Sequence, residues 1–174
     1  MKFTKAFRIL TVAIVFLLLT GCTGTTDPNE NEGTETGEVT INLYFSDSDA
    51  QYLVADPVQM INPSPKDVIQ QLINGPTDEA LIRTMPENII VKDINIDERI
   101  AYVDFSKEMG EAINGDYGTS TASQLLLYSI VNTLTLNDQF EIDEVKILVE
   151  GEDIGLGPFG KIGPQKPNLD IIKP

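Results

Sequence analysis

The chain has 174 residues, with 12 Lys and Arg against 27 Asp and Glu, a formal charge of −15, one Cys, and neither His nor Trp. Nucleic acid and anionic bilayers both recruit clustered basic residues, so this balance excludes nucleic-acid binding and flat adsorption to an anionic membrane. Without His, the commonest general base and the commonest metal ligand are missing, and neither a metal site nor a cofactor is expected.

The first element in chain order is a signal peptide over residues 1–21. Lys2, Lys5 and Arg8 form a basic start, and Ile9–Leu19 is a short apolar run interrupted only by Thr11. That order marks an export signal, and the run is too short for a comfortable membrane span. Leu19-Thr20-Gly21-Cys22 then places small residues before the single cysteine. This ending resembles the lipobox of bacterial lipoproteins. The resemblance implies cleavage between Gly21 and Cys22, a diacylglyceryl group on the sulfur, and an acyl chain such as palmitate on the new amino terminus. Each buried CH₂ contributes roughly 0.8 kcal/mol, so two or three chains make a stable tether. The protein is then expected outside the cytoplasm, with the membrane as its first partner. Cleavage leaves nine basic residues against 27 acidic ones, a net charge of −18. Such a surface reads as solubility outside the cell.

Thr23–Glu38 (TGTTDPNENEGTETGE) offers no apolar residue that a core could use. With Cys22 it forms a flexible acidic linker over residues 22–38. Its 16 residues have a reach of about 20–25 Å.

A folded domain is expected over residues 39–152. Val39, Ile41, Leu43 and Phe45 alternate with polar positions, which predicts a half-buried strand. Ser46-Asp47-Ser48-Asp49 is turn chemistry; it lacks the later Gly and Glu of a calcium loop. Tyr52–Ile61 reads as the hairpin partner, with Pro57 confining it to an edge or a bulge. Ser64, Pro65 and Asp67 open a helix as a capping box, Val68, Ile69, Leu72 and Ile73 share one face, and Gly75-Pro76 stops it. Ile89–Ile96 and Ala101–Phe105 are two strands around a turn at Asp97-Glu98-Arg99. Ser106–Gly118, with three glycines, reads as a loop. Thr121 with Gln124 suggests the start of a second helix, whose apolar stripe runs from Leu125 to Leu134. Val145, Ile147 and Val149 make a last strand, closed at Glu150-Gly151-Glu152. Residues 153–174 read as an irregular Gly/Pro-rich tail that Phe159 pins to the domain.

The order β(β)αββαβ predicts an α+β fold. In it a mainly antiparallel or mixed sheet of four to five strands carries two helices on one face. The core is expected from Leu43, Phe45, Val68, Leu72, Val103, Phe105, Leu125, Val131, Leu134, Val145 and Ile147.

Several segments, taken in this order and spacing, resemble the sporulation and spore germination (GerMN) domain family. They are Leu43-Tyr44-Phe45 with Asp47, Tyr52-Leu53-Val54, Leu72–Pro76, Met85-Pro86-Glu87, Ala101–Ser106, Ile130–Thr135 and Val145–Gly151. The resemblance implies an exported, often lipid-anchored envelope protein of Gram-positive bacteria, related to ring-building modules and associated with peptidoglycan. It carries over no catalytic residue.

Carboxylates are the only plentiful acid/base groups. Asp104, between Val103 and Phe105, is the candidate acid. Glycoside chemistry needs a second carboxylate across a cleft, and spacing names none. Asp104 is therefore expected to point away from the core or to accept backbone hydrogen bonds. Thr133 and Thr135 have no adjacent base and are expected to bond the last helical turn. Ser64 and Lys66 form a cap rather than a dyad. Tyr102 and Tyr128 are candidates for stacking on a sugar ring but fit core positions better. Gly155–Gly163 with Lys161 lacks the context of a phosphate loop. The chain is thus expected to be no enzyme, but a tethered module that binds an envelope protein or peptidoglycan. The alternatives are a carboxylate-dependent peptidoglycan-modifying enzyme and a subunit of a ring assembly.

Overall fold

The computed structural model describes residues 37–155 and 159–173. The signal peptide, Cys22 and the linker up to residue 36 lie outside the described residues.

Two nine-residue strands, β1 (Glu38–Ser46) and β2 (Leu53–Ile61), form an antiparallel pair. Pro57 lies opposite Asn42, on a strand that, among the described residues, has β1 as its only full-length neighbour, so its missing N–H breaks no ladder. Helix α1 (Pro65–Asn74) has the complete capping box: Asp67 N donates to Ser64 Oγ at 3.2 Å, and Ser64 N donates to Asp67 Oδ2 at 2.8 Å. It ends at Gly75, whose φ of +98° favours glycine. A Cβ there would stand 2.7 Å from Arg83 Nη2. The Arg83 guanidinium donates to the carbonyls of Ile73 and Asn74, serving the open end of α1.

Strands β3 (Val91–Asp97) and β4 (Ile100–Phe105) form a hairpin around Glu98 and Arg99, whose φ angles of +48° and +67° match a type I′ turn. Then come α2 (Lys107–Asn114), α3 (Ser120–Thr135), β5 (Glu144–Val149) and the short β6 (Glu152–Asp153). β5 returns parallel to β4, so α2 and α3 serve as the crossover. β6 folds back on β5 through Glu150 and Gly151, both at positive φ.

The α+β class stands, with three differences from the sequence reading. The strands form two sheets, β1-β2 and β3-β4-β5-β6, rather than one. The segment expected as a loop contains α2, whose Met109 and Ile113 are fully buried. Helix α3 is capped by Thr119, not Thr121: Thr119 Oγ1 accepts from Ala122 N at 3.2 Å.

Helix α3 packs against β1 and β5, with α1 alongside. Its residues Leu126, Leu127, Ile130, Val131 and Leu134 enter the main core with Phe45, Phe105, Val103, Val145 and Ile147. Leu125 turns the other way, into a second cluster with Tyr44, Leu53 and Ile171. A helix buried on both sides reads as apolar over most of its circumference. All eleven predicted core residues are buried.

Among the described residues of the tail there is no α-helix or long strand, yet the tail is tied down. Gln165 exchanges backbone hydrogen bonds with Val145 on β5, while Ile171 O and Lys173 N bond the backbone of Leu53 on β2. The buried Asn132 amide on α3 grips the Asn168 backbone in both directions, at 3.0 and 2.9 Å. Tail residues Gln165 and Ile172 thus touch both sheets. Phe159 is 48% exposed, whereas Ile171 is buried and holds the tail against β1 and β2.

Candidate functional site

The uncovered face of the larger sheet gathers polar residues. Ile94, Ala101, Val103 and Ile147 point toward the core, so alternate positions present Asp93, Asn95, Asp97, Tyr102, Asp104 and Leu148 to a shallow depression of about 400 Å³. Tyr102 and Asp104 thus come together, whereas Tyr128 packs on α3 against both apolar clusters. Asp93 lies directly opposite Asp104 in the hairpin register. Sequence reading does not name Asp93. The two-residue turn at Glu98-Arg99 was the signal that could have placed it there, because it sets the pairing. Asp104 Oδ1 accepts from Gly151 N at 2.8 Å, so this carboxylate fastens the β5–β6 turn.

Other acids are occupied in the same structural way. Asp47, 4% exposed, accepts from Gln51 N and Tyr52 N at 2.9 and 3.2 Å and meets Lys173 Nζ at 3.3 Å. The Gln51 amide first, then Tyr52 and Lys173, hold its carboxyl below the usual range. Ser64 lowers Asp67, Arg99 lowers Asp143 through a two-pronged contact at 2.6 and 2.8 Å, and Lys92 lowers Glu150. Glu150 also accepts from Lys107 N at the start of α2. These environments favour ionised carboxylates, the opposite of what a general acid needs. Among the described residues, no group of three or more Asp, Glu, Cys or His side chains is arranged to hold a metal.

The two threonines of α3 differ. Thr135 Oγ1 donates to Val131 O at 2.7 Å, as the sequence suggests. Thr133 Oγ1 instead accepts from Tyr44 N at 3.1 Å, on the edge of β1 away from β2. Asn137 continues this role: its side chain bonds both Asn42 N and Asn42 O at 3.0 Å, and Thr133 O at 2.7 Å. Side chains from α3 and its exit thereby stand in for a neighbouring strand. Lys66 Nζ donates to Lys92 O at 2.8 Å, apart from any nucleophile–base pair with Ser64. Lys161 forms an isolated backbone bridge with Gly155.

A second concavity, of about 220 Å³, lies where the end of β1 and the Ile82–Thr84 segment meet the start of α3. Its walls include Ile82, Thr84, Tyr117, Thr119, Ala122 and Leu125. Burial raises the Tyr117 phenol above its ordinary value. Thr84 is 3% exposed, and its Oγ1 has no hydrogen-bond partner among the described residues.

A small α+β module built on one buried helix, with a shallow polar sheet face and a small cavity, is the class that this fold defines. The family model Germane, described as sporulation and spore germination, matches residues 42–155, and the chain belongs to that family. Among solved structures, the tandem GerMN domains of the sporulation protein GerM from Bacillus subtilis superpose with a TM-score of 0.57 at 23% identity. That match covers 75% of this chain and 45% of the other, so the chain spans less than half of the tandem protein. The first GerMN domain of the same protein matches with a TM-score of 0.56 at 22% identity, covering 77% of this chain and 96% of that one. A candidate lipoprotein from Clostridium perfringens matches with a TM-score of 0.50 at 25% identity, covering 75% and 88%. Among curated proteins, no sequence relative matches.

Proposed function

We propose that the chain is an exported, lipid-anchored envelope protein of sporulation or spore germination. Its single GerMN-like domain binds a protein partner or peptidoglycan and carries out no chemistry. The observation that carries this reading is the family match over residues 42–155, joined to the Leu19–Cys22 ending of the signal segment. The lipoprotein description of the Clostridium perfringens relative supports the anchor. The domain's carboxylates support binding over catalysis, since those with shifted acidity are held ionised by caps and pairs. A tether raises the local concentration of the domain around any envelope partner, so shallow, weak contacts suffice. Crosslinking in intact sporulating cells should then recover an envelope neighbour, and recovery of none at any stage of sporulation contradicts the reading.

A second reading rests on Asp93 facing Asp104 across the open sheet face. Two neighbouring carboxylates beside a tyrosine are the raw material of a glycan-cleaving site. A zymogram on purified cell wall decides between the two. Clear lysis that disappears in Asp104→Asn would establish the enzyme and sink the binding module.

A further inference from the structure

We infer that the seat of tail residues 168–173 is a peptide-binding groove, and that a segment of a partner protein displaces the tail from it. The segment that fits carries a bulky aliphatic residue and, two positions later, a Lys or Arg. The inference rests on the binding-module reading and names the groove and the chemistry of the partner. The seat is built from Tyr44 on β1, Leu53 on β2, Leu125 and Asn132 on α3, and Asp47 in the turn between β1 and β2. All of these lie within residues 42–155, which match the family, whereas the segment that fills the seat lies beyond them. Seat and occupant are thus separate stretches of the chain.

Every contact at the seat is one that a peptide from outside can make. Leu53 N donates to Ile171 O at 2.7 Å and Lys173 N donates to Leu53 O at 2.8 Å, the pairing of a strand added to a sheet edge. The Asn132 side chain donates to Asn168 O at 3.0 Å and accepts from Asn168 N at 2.9 Å, a grip that any residue with a backbone N–H satisfies. Two side chains then select. Ile171 enters the apolar slot of Tyr44, Leu53 and Leu125. Lys173 Nζ reaches the buried Asp47 carboxylate at 3.3 Å, so a cation site follows the slot. Asp47 also accepts from Gln51 N and Tyr52 N, which hold it in place whichever cation it meets. The excess of acid on the chain favours a basic-ended partner. The segment keeps its own turn, since Asn168 Oδ1 accepts from Asp170 N and Leu169 O from Ile172 N, both at 3.1 Å. A piece that carries its own turn arrives preorganised. Among the described tail residues Ile171 alone is buried, so the segment leaves at far less cost than the domain unfolds. Held in the same chain, the tail competes with any partner at high effective concentration. A partner's apparent affinity is then reduced by the fraction of molecules whose seat is vacant.

The test measures exchange on the full chain in detergent. The probe is a fluorescein-labelled, amidated peptide with the sequence of residues 165–173 (QKPNLDIIK), followed by fluorescence anisotropy. The wild-type chain should bind it weakly, because its own tail fills the seat. Ile171→Ala in the chain loosens that tail and should tighten the probe about tenfold. A tail with a purely structural role gives no such gain. The same probe carrying Ile171→Ala or Lys173→Glu should bind the loosened chain about tenfold more weakly. Hydrogen exchange on the wild-type chain is a second measurement that needs no variant. The Asn168 and Lys173 amides should exchange well before those of β4, the strand between β3 and β5. No saturable binding of the probe to the Ile171→Ala chain, with β4 protection intact, overturns the inference. Equal binding by wild type and variant does so too, as do tail amides that exchange only together with β4. A wild-type dimer that Ile171→Ala dissolves makes a second copy the occupant and overturns the foreign partner. None of those failures touches the anchored binding role, which is tested through Cys22.

Discussion

Asn137 shows how much one polar side chain contributes to this fold. Its amide satisfies the Asn42 amide and carbonyl and the Thr133 carbonyl, at 4% exposure. Truncation would leave buried backbone groups unpaired, each costing about 1–3 kcal/mol. Asn137→Ala should therefore lower stability by about 2–3 kcal/mol in urea unfolding, and Asn42 amide exchange should accelerate. A change below about 0.5 kcal/mol would show that water replaces the side chain without loss. Sequence reading locates such residues poorly. Nothing in the spacing of Thr133 or Asn137 says that the edge of β1, some 90 residues away in the chain, is their partner.

The elements themselves were more legible, because most carry local signals. The capping box of α1, the stop at Gly75, the edge position of Pro57 and the turns before β4 and after β5 each follow from backbone chemistry of neighbouring residues. Helix α2 escaped because it is short and contains Gly110, whose helix propensity is poor. Tertiary burial of Met109 and Ile113 overrides that propensity. A Cβ at position 110 would meet only Val149 Cγ1, at an ordinary 3.7 Å. Gly110→Ala should thus raise stability by about 0.5–1 kcal/mol, read as a higher urea midpoint. In α3, Leu134 is fully buried, and Leu134→Ala should cost about 2–5 kcal/mol. An unchanged midpoint for Leu134→Ala would contradict the packing of α3 in the core.

At the scale of the molecule, the sequence did not show that the strands divide between two sheets or that the tail touches both. Those facts arise from contacts such as Asn132 with Asn168 and Leu53 with Lys173, which no local pattern encodes. The tail also explains why β1 is buried on both faces near Tyr44, although its alternation predicts only one. The acidic character has a consequence of definite sign. Asp47, Asp67, Asp143 and Glu150 have carboxyls lowered from ordinary values of 3.8 and 4.5, so the folded state binds their protons less readily than the unfolded chain. Their stabilisation is complete above those ordinary values and is lost as pH falls through the lowered folded ones. At 0.15 M salt, which screens the general repulsion, the urea midpoint should be flat from about pH 7 to 5 and fall below about pH 4. A midpoint that rises below pH 4 would contradict these assignments.

The central claim, a binding domain that works because it is held at the membrane, turns on Cys22. In the function proposed above, lipid on that sulfur would supply the tether, and the described domain would supply the fold that binds. The direct measurement is spore formation and germination in a strain whose only copy carries Cys22→Ser, exported and folded, at protein levels matched to the wild type. The account predicts loss of labelled palmitate, release from the membrane fraction and reduced function despite an intact domain. An unanchored form that supports spore formation and germination as well as the wild type would contradict it.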